Sequence, residues 1–137
     1  MANINAYVGF NGECRKAMEF YKECLGGELF FQPVGSSPMA EQCPSAMKDH
    51  ILHSSLTNGS LVLMATDMVT PDGYTKGNNI SLSLNCNSEA EINTFFTKLS
   101  AGGKVLDTLK EQFWGAIFGA LTDQFGINWM LNYHKKS

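Results

Sequence analysis

Two stretches of this chain follow one plan. In the first, a short apolar segment (residues 4–10) leads into an amphipathic segment that stops at Gly26-Gly27. In the second, an alternating segment (residues 79–86) leads into another amphipathic segment that stops at Gly102-Gly103. The two Gly-Gly pairs stand a little over half the chain apart. A repeat that long describes two half-domains, not a solenoid of short units. Folds that pair two similar halves create a cleft, and a cleft invites a ligand.

Each half supplies one helix and four strands. Residues 12–25 carry Cys14, Ala17, Met18, Tyr21 and Leu25 at helical spacing. Asn11 is the expected N-cap and Gly26 the left-handed C-cap. Strands are predicted over 28–34, 50–57 and 60–66, the last two joined by the hairpin dipeptide Asn58-Gly59. A Pro/Ser-rich loop occupies 35–49, long enough to border a site. Residues 67–77 form a turn-rich connector.

In the second half, Ile80, Leu82 and Leu84 alternate with Asn79, Ser81, Ser83 and Asn85, as in a half-buried strand. Ser88 and Glu91 make a capping box. Ile92, Phe95, Phe96 and Leu99 form the buried stripe of the second helix. Strands follow over 104–111, 115–122 and 127–133, with Trp129 sharing the parity of the core. The fold class is α+β: tandem βαβββ modules over about 1–68 and 78–137 of one domain. Curved mixed sheets would carry their helices on the outer face and leave the other face free.

Composition excludes several functions. With 137 residues, 44 % hydrophobic and 17 % charged, the chain suits one globular domain. A net charge of −3 with no clustered basic patch is a poor match to nucleic acid. No apolar run approaches the ~20 residues that span a bilayer. No basic region with a following apolar stretch opens the chain, so no signal peptide is expected. Cys14, Cys24, Cys43 and Cys86 contain no C-x-x-C pair, and the expectation is a cytoplasmic protein with reduced thiols.

The segments Ala17-Met-Glu-Phe-Tyr-Lys-Glu-Cys-Leu-Gly-Gly27, Gly102-Gly-Lys-Val105, Phe113-Trp-Gly-Ala116 and Leu121-Thr-Asp-Gln-Phe-Gly-Ile-Asn-Trp129 carry a family resemblance. Together with the duplicated βαβββ plan, they make the chain resemble the vicinal-oxygen-chelate superfamily, which includes glyoxalase I, bleomycin-resistance proteins and extradiol dioxygenases. Within it the chain looks like the PhnB-like (demethylubiquinone methyltransferase-like) branch. The resemblance covers essentially the whole chain and implies a ligand cleft and a homodimer.

Enzymes of that superfamily hold a divalent metal through one side chain from each of four strands. Carried onto this sequence, the first ligand position, fourteen residues before Phe20, is Ala6. The position opening the fifth strand is Asn79, the last-strand position is Met130, and Val62 or Met64 stand nearest the fourth. A divalent site needs about three nitrogen, sulfur or carboxylate donors. The expectation is therefore no metal and no cofactor.

The candidate cleft residues are Ala6, Val8, Phe10, His53, Met64, Asn79, Ser81, Trp114 and Met130. His53 is either a polar or proton-transfer group in the cleft or a hydrogen-bonded strand histidine. His50, three residues earlier, should point to the opposite face. Ser81 and Ser83 either donate to a ligand or face water. Trp114 is either cleft wall or packing surface. Met39, Met47, Met64 and Met68 suit an adaptable apolar pocket or a core.

Two functions follow. One is a binding protein that holds a small, partly apolar molecule in its cleft. The other is a metal-dependent lyase or isomerase of glyoxalase type, its ion held by unusual ligands such as His53 with Glu41 or Asp49. Methyl transfer finds no support, since no Gly-rich nucleotide loop is visible.

Overall fold

Six buried side chains on one helical stripe (Cys14, Ala17, Met18, Tyr21, Cys24 and Leu25) fix the first helix, α1, over Cys14–Leu25. The computed structural model describes residues 2–38, 41, 48–68 and 73–135. The chain forms two compact units, Met1–Thr75 and Lys76–Ser137. Met39, Cys43 and Met47 lie outside the described residues, as does most of the 35–49 loop.

In the first unit the strands are β1 (Ala6–Gly9), β2 (Glu28–Pro33), β3 (Ile51–Asn58) and β4 (Leu61–Thr66), arranged β1-β4-β3-β2. β1 runs parallel to β4, and the other neighbours are antiparallel. α1 packs against β2, β3 and β4. Its start differs from the sequence expectation. Glu13 occupies the N-cap position without a side-chain cap, and Asn11 does not cap the helix. The Asp67 carboxylate takes that role from a distance, accepting from the Gly12 and Cys14 N–H groups at 2.9 Å each. Its other oxygen accepts from the Ile51 N–H at 2.9 Å, so one buried side chain ties the helix start to the start of β3.

The second unit repeats the order. β5 (Ser81–Asn85) is followed by α2 (Glu89–Ser100), β6 (Lys104–Glu111), β7 (Ala116–Thr122) and β8 (Asn128–His134), arranged β5-β8-β7-β6. β5 runs parallel to β8, and α2 packs on β6, β7 and β8. The capping box forms: the Glu91 N–H donates to Ser88 Oγ at 3.0 Å. The Glu91 carboxylate reaches one residue further back than expected, to the Asn87 N–H at 2.9 Å. Ile92, Phe96 and Leu99 are buried, and Phe95 lies at the edge of that stripe. β5 begins at Ser81, so Asn79 lies in the bend before it and Ile80 is 74 % exposed instead of sharing the face of Leu82.

The duplicated Gly-Gly pairs have duplicated causes. Gly26 and Gly102 have φ of +75° and +76°, left-handed conformations that end each helix without a Cβ penalty. The glycine after each presses on a strand end. A Cβ at Gly27 would fall on the Thr57 carbonyl oxygen, and one at Gly103 on that of Thr122.

Candidate functional site

The register decides which side chains each helix covers. In the first sheet Ala6 aligns with Leu63, Val8 with Ala65, Leu63 with Leu56 and Ala65 with Ser54. Leu56, Leu63, Ala65 and Ser54 are buried. The Cys14 thiol on α1 lies 3.3 Å from Ser54 Oγ, which marks this as the covered face. Ala6 and Val8 therefore share the face that the helix covers further along the sheet, where they are half-buried, and Phe10 is 1 % exposed in the core. These three stand away from the free face expected for them. Counting back from the helix to β1 crosses a connector whose length strand pairing does not fix, and an error of one residue reverses a strand's faces.

The uncovered face carries Tyr7 on β1, Val62, Met64 and Thr66 on β4, His53 and Ser55 on β3, and Phe30 and Gln32 on β2. Tyr7 aligns with Met64, Met64 with Ser55, and Ser55 with Phe30, which makes one row across four strands. Tyr7 is 52 % exposed and Phe30 54 % exposed. Tyr7 Oη and His53 Nδ1 form a hydrogen bond of 2.9 Å, and their ring centroids are 5.7 Å apart. Partial burial, with a smaller repulsion from Cys14, holds the Tyr7 phenol above its ordinary range, so it stays protonated at neutral pH. Glu28, at the end of β2, is the charged strand residue on this face.

His53 and Met64 are thus brought together on one face, with Tyr7, Phe30, Ser55 and Gln32 as neighbours missing from the sequence-based set. His50 does not share that face. It precedes β3 and approaches Gly12, and its buried Nδ1 has no hydrogen-bond partner.

The second sheet follows its predicted parity. Gly119 abuts the Phe96 ring of α2, and Leu131 and Leu84 align with Gly119, so these lie on the covered face. Trp129 is buried on that same side, with its Nε1–H donating to the Asp123 carboxylate at 2.8 Å. Ser81, Ser83 and Met130 occupy the opposite face, Ser83 aligned with Met130. Asn79 lies outside the strand. Trp114 is half-exposed in the β6–β7 hairpin turn, edge-on to Phe113 at 4.9 Å between centroids.

The donors present do not fit the superfamily's metal site. Ala6 has no donor atom and lies on the opposite face of the sheet from His53 and Met64. Val62 has none, Met64 and Met130 offer only thioethers, and Asn79 offers a neutral amide. Among the described residues, no three His, Cys, Asp or Glu side chains gather where they could hold an ion, and this includes His53, Glu41 and Asp49. Among the described residues, no helix is long and apolar enough to cross a membrane.

Comparison with known proteins places this geometry. The sequence model of the Glyoxalase/Bleomycin resistance protein/Dioxygenase superfamily matches residues 3–131. Protein YjdN of Escherichia coli (strain K12) is 31% identical over 142 residues, covering 97% of this chain and 96% of that protein. Protein PA1353 from Pseudomonas aeruginosa, a solved structure, is similar with a TM-score of 0.87 and 40% identity, over 99% of this chain and 100% of that one. A PhnB protein from Bacillus cereus shares the fold with a TM-score of 0.72 and 24% identity, over 96% and 99% of the two chains.

Proposed function

Because the chain belongs to the Glyoxalase/Bleomycin resistance protein/Dioxygenase superfamily, we propose that it binds a small, uncharged, partly apolar molecule on the uncovered face of its β1–β4 sheet, without a resident metal. The observation that carries this is the row Tyr7, Met64, Ser55 and Phe30. Two half-exposed aromatic rings, a thioether and a hydroxyl lie side by side there, next to His53. A sheet face with no binding role would more commonly be polar where it meets water.

Met64 can adjust its shape to a ligand at little cost. The scarcity of charge disfavours an ionic partner, whose desolvation would go uncompensated. The proposal includes assembly as a homodimer, supported by the half-exposed or more exposed apolar side chains Phe30, Leu106 and Ile80. It also includes a cytoplasmic location, supported by the free thiols of Cys14 and Cys86.

A thermal-shift screen of small metabolites against the purified protein tests the binding. Neutral aromatic or amphipathic compounds should raise the melting temperature, because they bind the native state alone. Stabilisation by strongly anionic compounds only would overturn the stated ligand class. Metal analysis tests the rest: one equivalent of tightly bound Zn²⁺ or Ni²⁺, lost in His53→Ala, would refute the metal-free assignment.

A further inference from the structure

The Tyr7–His53 pair has a property that does not depend on which imidazole nitrogen carries the proton. In the Nε2–H tautomer, the Tyr7 O–H donates to Nδ1. The pair then presents the Nε2–H donor and a lone pair on Tyr7 Oη. In the Nδ1–H tautomer, Nδ1–H donates to Tyr7 Oη. The pair then presents the phenol O–H as donor and the Nε2 lone pair as acceptor. Either way, the neutral pair offers one free donor and one free acceptor.

The two residues come from β1 and β3, separated by β4, so the sheet itself holds them in place. The neighbours are the flat ring of Phe30 and the thioether of Met64, both suited to a planar π-system. The charged strand residue on the face, Glu28, sits at its end beside Thr57.

We infer that Tyr7 and His53 select, among the ligands of the face proposed above, a planar uncharged ring bearing both a hydrogen-bond donor and an acceptor, of the carboxamide class. This rests on the binding reading and adds the identity of the recognised group. An ester or ketone on the same ring satisfies only the donor of the pair. A carboxylate has no donor of its own and brings a charge that no Lys or Arg among the described strand residues of this face balances. Leaving one member of the pair unmatched in a complex costs affinity, because that group has given up its water.

Three ring compounds of similar size test this: benzamide, methyl benzoate and benzoate. They are titrated into the full chain while the His53 imidazole and Met64 methyl resonances are followed by NMR. Benzamide should shift both and bind about tenfold more tightly than either analogue, the ratio expected for one satisfied hydrogen bond. Tyr7→Phe keeps the ring and removes only the hydroxyl of a half-exposed residue, so its fold should be retained. In that variant, and in His53→Phe, the preference should fall to about twofold or less, with unchanged amide spectra elsewhere.

If all three compounds bind but benzamide keeps its advantage in both variants, or benzoate binds most tightly, the pair is not the selector, although the face still binds rings. If none shifts either resonance in the wild-type protein at millimolar concentration, the binding reading fails and the inference fails with it.

Discussion

Asp67→Ala should be among the most damaging single changes in the first unit. The carboxylate accepts from three backbone N–H groups, those of Gly12, Cys14 and Ile51, each at 2.9 Å, and is itself buried. Alanine leaves all three donors without a partner. A buried orphan donor costs about 1–3 kcal/mol. The Cys14 and Ile51 groups are buried and carry that cost in full, while the part-buried Gly12 group recovers some of it from water. A negative charge at the start of α1 adds about 0.3–1 kcal/mol through the helix dipole. The sum is about 5 kcal/mol, a large share of the ~5–15 kcal/mol that a domain commonly possesses.

Asp67→Asn provides the discriminating control. One amide oxygen can keep the Gly12 and Cys14 bonds, but the amide NH2 then meets the Ile51 N–H, so the loss should be about 2 kcal/mol. Urea unfolding followed by far-UV circular dichroism measures both, with unchanged m-values as the check that the native state is intact. An alanine variant within about 1 kcal/mol of wild type, at unchanged m, would show that the carboxylate is not the tie between helix and strand.

Further outcomes are expected at the turn glycines and at the buried thiols. Alanine at Gly59, which has φ +61° and open space around its missing Cβ, should cost about 1 kcal/mol from backbone strain alone. Gly103→Ala adds a backbone clash without that strain and should cost about 2–3 kcal/mol, and Gly27→Ala, at φ +100°, combines both and should be worst in the same urea assay. Burial pushes the Cys14 thiol up to about 11 and the Cys86 thiol up to about 12, from an ordinary 9.0. Both should resist iodoacetamide near neutral pH until the chain unfolds. Their contribution to stability is complete below the unfolded value of 9.0 and is lost as pH rises through about 11 and 12, so the urea midpoint should fall across that alkaline range.

What the sequence made legible, and what it hid, divides along the range of the interactions. The Ser88–Glu91 cap, the Asn58-Gly59 turn and both helical stripes depend on residues a few positions apart, and each can be read from its own segment. The cap of α1 cannot, because its acceptor stands 53 residues further along the chain; the nearby Asn11 offers the right chemistry in a place the helix does not use.

The candidate site shows the same division within a single rule. Placing the alternating apolar set of β5 under a helix puts Ser81 and Ser83 on the uncovered face, where the register also puts them. The same rule applied to β1 places Ala6, Val8 and Phe10 on the core side of the sheet and leaves Tyr7 on the other, again in agreement with the register. Counting back from Phe20 to a ligand position carried from enzymes gives the reverse, because it crosses a connector whose length is not fixed by strand pairing. Strand parity is set by what the covering helix buries. The apolar alternation within β1 is therefore the stronger guide, and followed on its own it leads to the Tyr7–His53 face.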